Sequence, residues 1–84
     1  MSGKENIEEK LREIVMRLNE GRGLPTVGPA SDLFEEGYVD SFGFFELLSE
    51  VETAFGVKFD EKDLTKENFS RIAAIAKSVE GMLP

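Results

Sequence analysis

Cysteine, histidine and tryptophan are all missing from this chain of 84 residues. Without cysteine there is no disulfide, no thiolate nucleophile and no sulfur ligand for a metal, and without histidine there is no imidazole base and no imidazole zinc ligand. The residue types that run most small enzymes are therefore absent. Long apolar runs are absent too: nothing approaches the roughly 20 residues that cross a bilayer, and the charged opening from Met1 to Lys10 lacks the apolar centre of a signal peptide. A cytoplasmic protein without a membrane span is expected. A chain this short folds as a single domain over 1–84, burying roughly 60% of the surface its unfolded form exposes. That leaves room for one small core and no enclosed substrate cleft.

Positive charge is also scarce. The 10 Lys and Arg face 17 Asp and Glu, for a net charge of −7, which argues against nucleic acid because phosphate binding requires a basic surface. The deficit is local. Between Ser31 and Gly56 lie Asp32, Glu35, Glu36, Asp40, Glu46, Glu50 and Glu52 with no Lys or Arg, while acids and bases balance in the rest of the chain. One central segment thus supplies all the net charge, and such a field can steer a basic partner.

What is present reads as helix. Ile7, Leu11, Ile14, Val15 and Leu18 recur at three- and four-residue steps, and Gly21 offers a stop, so helix one is predicted over about residues 4–20. Gly21, Gly23, Pro25, Gly28 and Pro29 exclude regular structure from the segment that follows, giving a loop over 21–40. Within it, Asp32 and Glu35 suit the cap of a single turn through Leu33 and Phe34. Asp40 and Ser41 both accept hydrogen bonds from free amides at a helix start, which puts helix two at about 41–55. On its wheel Phe44, Leu47, Leu48, Val51 and Phe55 form the apolar arc. A short helix is expected at about 60–64. Thr65 then suits an N-cap, Leu64 and Phe69 have the spacing of a hydrophobic staple, and Phe69, Ile72, Ala73, Ala76 and Val79 carry a last helix over about 66–82. The expected fold is an all-α bundle of three main helices plus one short helix, with a long first loop.

The acids could in principle form catalytic pairs, but acid-base work needs a pocket that shifts one carboxyl, and a bundle this small offers none. Calcium fails as well. A loop starting at Asp32 has Gly37 at the sixth position but Phe34 and Gly43 at the third and twelfth, and one starting at Asp60 has Lys62, Leu64 and Arg71 where oxygen ligands belong. No metal ligands and no catalytic residues are assigned. Ser41 alone reads as an ordinary helix cap. Its surroundings are less ordinary, because Phe42 and Phe45 fall outside the apolar arc, on the side that carries Ser41, Ser49 and Glu52. Aromatic rings beside acids on a solvent face are what a docking surface requires.

The stretch Asp32-Leu33-Phe34-Glu35-Glu36-Gly37-Tyr38-Val39-Asp40-Ser41-Phe42, running into Glu46-Leu47-Leu48, resembles the attachment region of the acyl and peptidyl carrier proteins, whose pattern is Asp-Ser-Leu at the start of helix two. The resemblance implies that a phosphopantetheinyl transferase moves a 4′-phosphopantetheine arm from coenzyme A onto Ser41, beside Asp40. It further implies that the arm's thiol carries acyl or aminoacyl groups as thioesters, in fatty acid, polyketide or ligase-dependent pathways, and that the chain itself catalyses nothing. The implied partners are the transferase, a loading ligase and downstream acyl-using enzymes whose basic patches meet Asp40, Glu46 and Glu52, with Phe42, Phe45 and Ser49 on the same face of a monomer. Three positions depart from the pattern. Phe42 stands where Leu is usual, and Gly43 and Thr53 stand where carriers of fatty acid synthesis often have acids. Phe34 to Ser41 and Leu64 to Phe69 look closer to stand-alone carriers served by adenylating ligases, the D-alanyl type among them. The alternative reading is an acidic helical interaction module that works unmodified.

Overall fold

A computed structural model of the chain describes residues 3–83. The described residues are helical with no strand: α1 spans Gly3–Leu18, α2 Ser41–Phe55, α3 Lys66–Phe69 and α4 Ile72–Met82, with one turn of 3-10 helix at Glu61–Asp63. α1 packs against both α2 and α4, and α3 folds back on α4. The stripes read from the sequence meet in one core. Leu11, Ile14 and Val15 of α1, Leu47 and Val51 of α2, Phe69 of α3, and Ile72, Ile75, Ala76 and Val79 of α4 are all buried.

The first helix ends at Leu18, two residues before its expected end at about residue 20. The Asn19 side chain donates its amide to the Val15 carbonyl at 2.8 Å, the acceptor that the Asn19 backbone would use if α1 continued, while the Asn19 N–H turns to Met16 at 3.2 Å. The same side-chain amide also donates to the Tyr38 carbonyl at 3.0 Å. One buried asparagine therefore both ends α1 and ties the long loop to it.

The expectation of one unbroken helix over 66–82 is not met. Ser70 and Arg71 separate α3 from α4, with Arg71 in extended backbone at φ −141°, ψ 150°. The cause lies in the first loop, whose backbone satisfies the groups exposed at the break. Leu33 donates its N–H to the Ser70 carbonyl at 2.7 Å, and Ala73 donates to the Pro29 carbonyl at 3.2 Å. Both are groups that an intact helix would have paired internally. Leu33, fully buried, is the apolar part of the same attachment.

The loop is held along its length by side chains. Asp32 Oδ1 accepts the amides of Phe34 and Glu35 at 3.0 and 2.9 Å, and the Asp32 N–H in turn donates to the carboxylate of Glu36, not of Glu35, at 2.9 Å. Tyr38 is buried and donates its hydroxyl to the Pro25 carbonyl, closing the two ends of the loop on each other. Removing that hydroxyl leaves a part-buried carbonyl without its donor, which costs about 1 kcal/mol. Tyr38→Phe should therefore lower the melting temperature by about 4–8 °C in a thermal circular-dichroism melt, with helix content unchanged. An unchanged melting temperature would show that the bond contributes nothing.

Candidate functional site

Two residues compete chemically for the start of α2, and the fold separates their roles. Asp40 is the N-cap, in extended backbone at φ −122°, ψ −170°, and its Oδ1 accepts the Gly43 N–H at 2.7 Å. Ser41 is the first residue of α2. Its side chain is exposed, and no hydrogen bond to a described residue occupies its hydroxyl. The cap that Ser41 could have made is already made by its neighbour, which leaves the Ser41 oxygen available for reaction. Gly43 contributes to this, because a Cβ at that position would lie 3.2 Å from the capping Asp40 oxygen.

The setting suits an attached phosphodiester. The N-terminal end of a helix favours negative charge, and Ser41 sits there with solvent on its outer side. The residues present therefore fit a phosphopantetheine arm linked through oxygen, with Ser41 the group that would hold it. When bound, such an arm supplies the thiol that this cysteine-free chain lacks.

Around Ser41 the surface is aromatic. Phe42 is 85% exposed and Phe45 67% exposed. Phe44, by contrast, is partly buried, standing edge-on to Phe69 with ring centres 5.3 Å apart and to Phe45 at 5.6 Å. Phe59 closes on the other side of Phe69 at 5.0 Å. This run of rings reaches from Phe45 through Phe44 and Phe69 to Phe59.

Two grooves flank the start of α2. One, of about 440 Å³, lies toward the end of α1 and is walled by Asn19, Arg22, Phe42, Gly43 and Glu46 among others. The second, of about 570 Å³, includes Ser41 itself and is formed by Phe34, Val39, Asp40, Phe44, Phe45, Leu64 and Lys66. Lys66 stands over the Phe34 ring at 5.6 Å from its centre. Nothing in the local sequence around Ser41 points to Lys66, since it lies 25 positions away in the chain. The only available signal is that Lys66 opens the helix that Thr65 caps, through its Oγ1 and the Asn68 N–H at 3.1 Å.

The acids divide into two groups. Glu46 and Ser49 are exposed on α2, on the side of Phe42 and Phe45. Glu52 is not presented in the same way: its carboxylate accepts the Phe59 N–H at 2.8 Å and holds the segment that follows Gly56. Glu52 remains half-exposed on that side. Glu50 is paired with Arg17 of α1 at 2.6 Å, so part of the acidic segment's charge is met from within the chain. Among the described residues no cluster of His, Cys, Asp and Glu could hold a metal ion, and no helix is long and apolar enough to cross a membrane.

Comparison with known proteins agrees with this geometry. A family model described as the phosphopantetheine attachment site matches residues 9–79. D-alanyl carrier proteins of Streptococcus pyogenes serotype M5 (strain Manfredo), serotype M49 (strain NZ131) and serotype M1 are each 33% identical to the chain over 49 residues. The match covers 58% of this chain and 62% of each relative, so the chain spans about three-fifths of the length of the curated relatives it matches. The family match runs from α1 to α4 and contains the exposed serine at the head of α2. The chain therefore belongs to the family of proteins that carry a phosphopantetheine attachment site.

Proposed function

We propose that Ser41 is the attachment point of the arm and that the chain is a stand-alone carrier of aminoacyl groups. The observation that carries this is the division of labour at the head of α2: Asp40 makes the cap at 2.7 Å and Ser41, exposed, is left with a free hydroxyl. In the modification a phosphopantetheinyl transferase joins the Ser41 oxygen to the pantetheine-side phosphorus of coenzyme A as the phosphoanhydride bond breaks, adenosine 3′,5′-bisphosphate leaves, and the hydroxyl proton goes to the transferase or to solvent. This chain's part is positional. The Asp40 cap fixes the first turn of α2, and that turn presents Ser41 beside Phe42 and Phe45.

The resemblance to D-alanyl carrier proteins supports an aminoacyl load, delivered by an adenylating ligase, over a role in fatty acid synthesis. Gly43 and Thr53, standing where acids are frequent in fatty acid carriers, point the same way. A monomer working in the cytoplasm fits a carrier that must reach several enzymes in turn.

Incubation with coenzyme A and a broad-range transferase should add one phosphopantetheinyl group to the protein, measured by intact mass, and none to Ser41→Ala. A Ser41→Ala protein that still gained the mass would overturn the assignment. No gain in the unaltered protein would favour the second reading, an unmodified interaction module using the exposed Phe42 and Phe45.

Docking should depend more on those rings than on charge. Glu50 is paired with Arg17 and Glu52 is bonded within the chain, which leaves Glu46 as the α2 acid with no partner among the described residues. Exposed rings that become buried at the centre of an interface behave as hot spots worth about 2 kcal/mol or more, or roughly 30-fold. Phe42→Ala should therefore lower kcat/KM of the loading ligase for the carrier at least about 10-fold, while Glu46→Gln and a rise in salt that shortens the screening length to about 3 Å should each cost no more than about 3-fold. A steep salt dependence with a silent Phe42→Ala would reverse this ranking.

A further inference from the structure

The segment that surrounds Ser41 in sequence, from Ser31 to Gly56, contains no lysine or arginine. Any cation near the modified serine must therefore be brought by tertiary structure. The fold brings three candidates toward α2. Arg17 is engaged by Glu50 at 2.6 Å, and Arg22 donates to the Asn19 side chain on the opposite groove, which does not include Ser41. Lys66 is different. It is exposed, no carboxylate of a described residue pairs with it, and it shares with Ser41 the groove walled by Phe34, Phe44, Phe45 and Leu64.

A serine-linked phosphodiester adds one negative charge beside the Asp40 carboxylate. Two neighbouring anions repel, and a single cation on the same groove relieves that repulsion while orienting the group that carries it. The Phe34 ring, 5.6 Å below the ammonium, pre-places Lys66 against the groove wall. We infer that Lys66 is a positioning residue for the modified serine: it receives the phosphodiester anion on Ser41 and thereby lays the first part of the arm along the Phe34, Phe45 and Leu64 side of α2. This rests on Ser41 being the modified residue. The groove toward α1 then stays clear for a docking enzyme.

The test compares amide chemical shifts of the unmodified and modified protein by two-dimensional NMR, with the modification first verified by intact mass. Absence of the mass gain would count against Ser41 as the attachment point and is read separately from the shifts. With the arm in place, shift changes should extend from Ser41 and Phe42 to Phe34 and to Leu64, Thr65 and Lys66. In Lys66→Gln the changes at residues 64–66 should fall by at least half, as they should for the unaltered protein at high salt, and Lys66→Arg should restore them. Lys66 is exposed, so the melting temperature of the unmodified Lys66→Gln protein reports that the fold is intact. Changes confined to the first turn of α2, or changes at residues 64–66 that persist in Lys66→Gln, would overturn the inference.

Discussion

The arrangement around Ser41 depends on an exchange of two backbone hydrogen bonds, from Leu33 to Ser70 and from Ala73 to Pro29. A loop of this length has no repeating ladder of its own to define its course, so its position must come from a few bonds made elsewhere. The last helix supplies them by giving up its continuity at Ser70 and Arg71. In return, Leu33 is sealed into the core and the turn from Asp32 to Gly37 is set against α3. The chain then reaches Asp40 from a fixed direction, with Tyr38 and Val39 buried just before it. Ser41 is exposed, but the backbone that presents it is anchored on both sides.

That anchoring has a consequence for chemistry. A modified residue on a mobile loop would offer its partner enzymes many orientations, and each productive encounter would have to restrict them. Ser41 instead stands in the first turn of a fifteen-residue helix whose cap is made by the adjacent side chain. The lower end of α2 is held too. Gly56, at φ 65°, ends it in the left-handed conformation, and Glu52 reaches forward to the Phe59 amide. The orienting cost is met during folding, and an arm on Ser41 would supply the flexibility.

Much of this was legible in the sequence, and the reasons for the exceptions are specific. Helical periodicity identified the buried arcs of α1, α2 and α4 because each arc is fixed by residues three and four apart. It likewise separated Phe42 and Phe45 from Phe44, a distinction that the exposures of 85% and 67% make quantitative. The break at Ser70 was invisible, since the stripe from Phe69 to Val79 continues across it and the bonds that cause it come from residues about 40 positions earlier. Glu52 has a contact that the sequence hides for a related reason. It lies on the outer side of α2 by angle, but a neighbouring backbone amide at Phe59 claims it. Lys66 could not be linked to Ser41 at all, because adjacency across a groove leaves no periodic trace.

Two exposed phenylalanines on a small protein invite self-association, yet a carrier must part from each partner in turn. The charge distribution answers this without covering the rings. Copies meeting through the face of α2 would each bring Asp40 and Glu46 to the same patch, in the segment that carries all of the net charge of −7, and like charges there repel. A partner with an apolar pocket and neutral or basic surroundings suffers no such penalty. On the proposed docking role, the acidic segment would act less as an attractive handle than as a discriminator, permitting the rings to stay exposed because only unlike surfaces could use them. The same logic explains why cations enter the neighbourhood sparingly. Arg17 is consumed in joining α1 to α2, so an additional basic side chain on the solvent side of α2 would weaken the repulsion between copies that keeps Phe42 and Phe45 available.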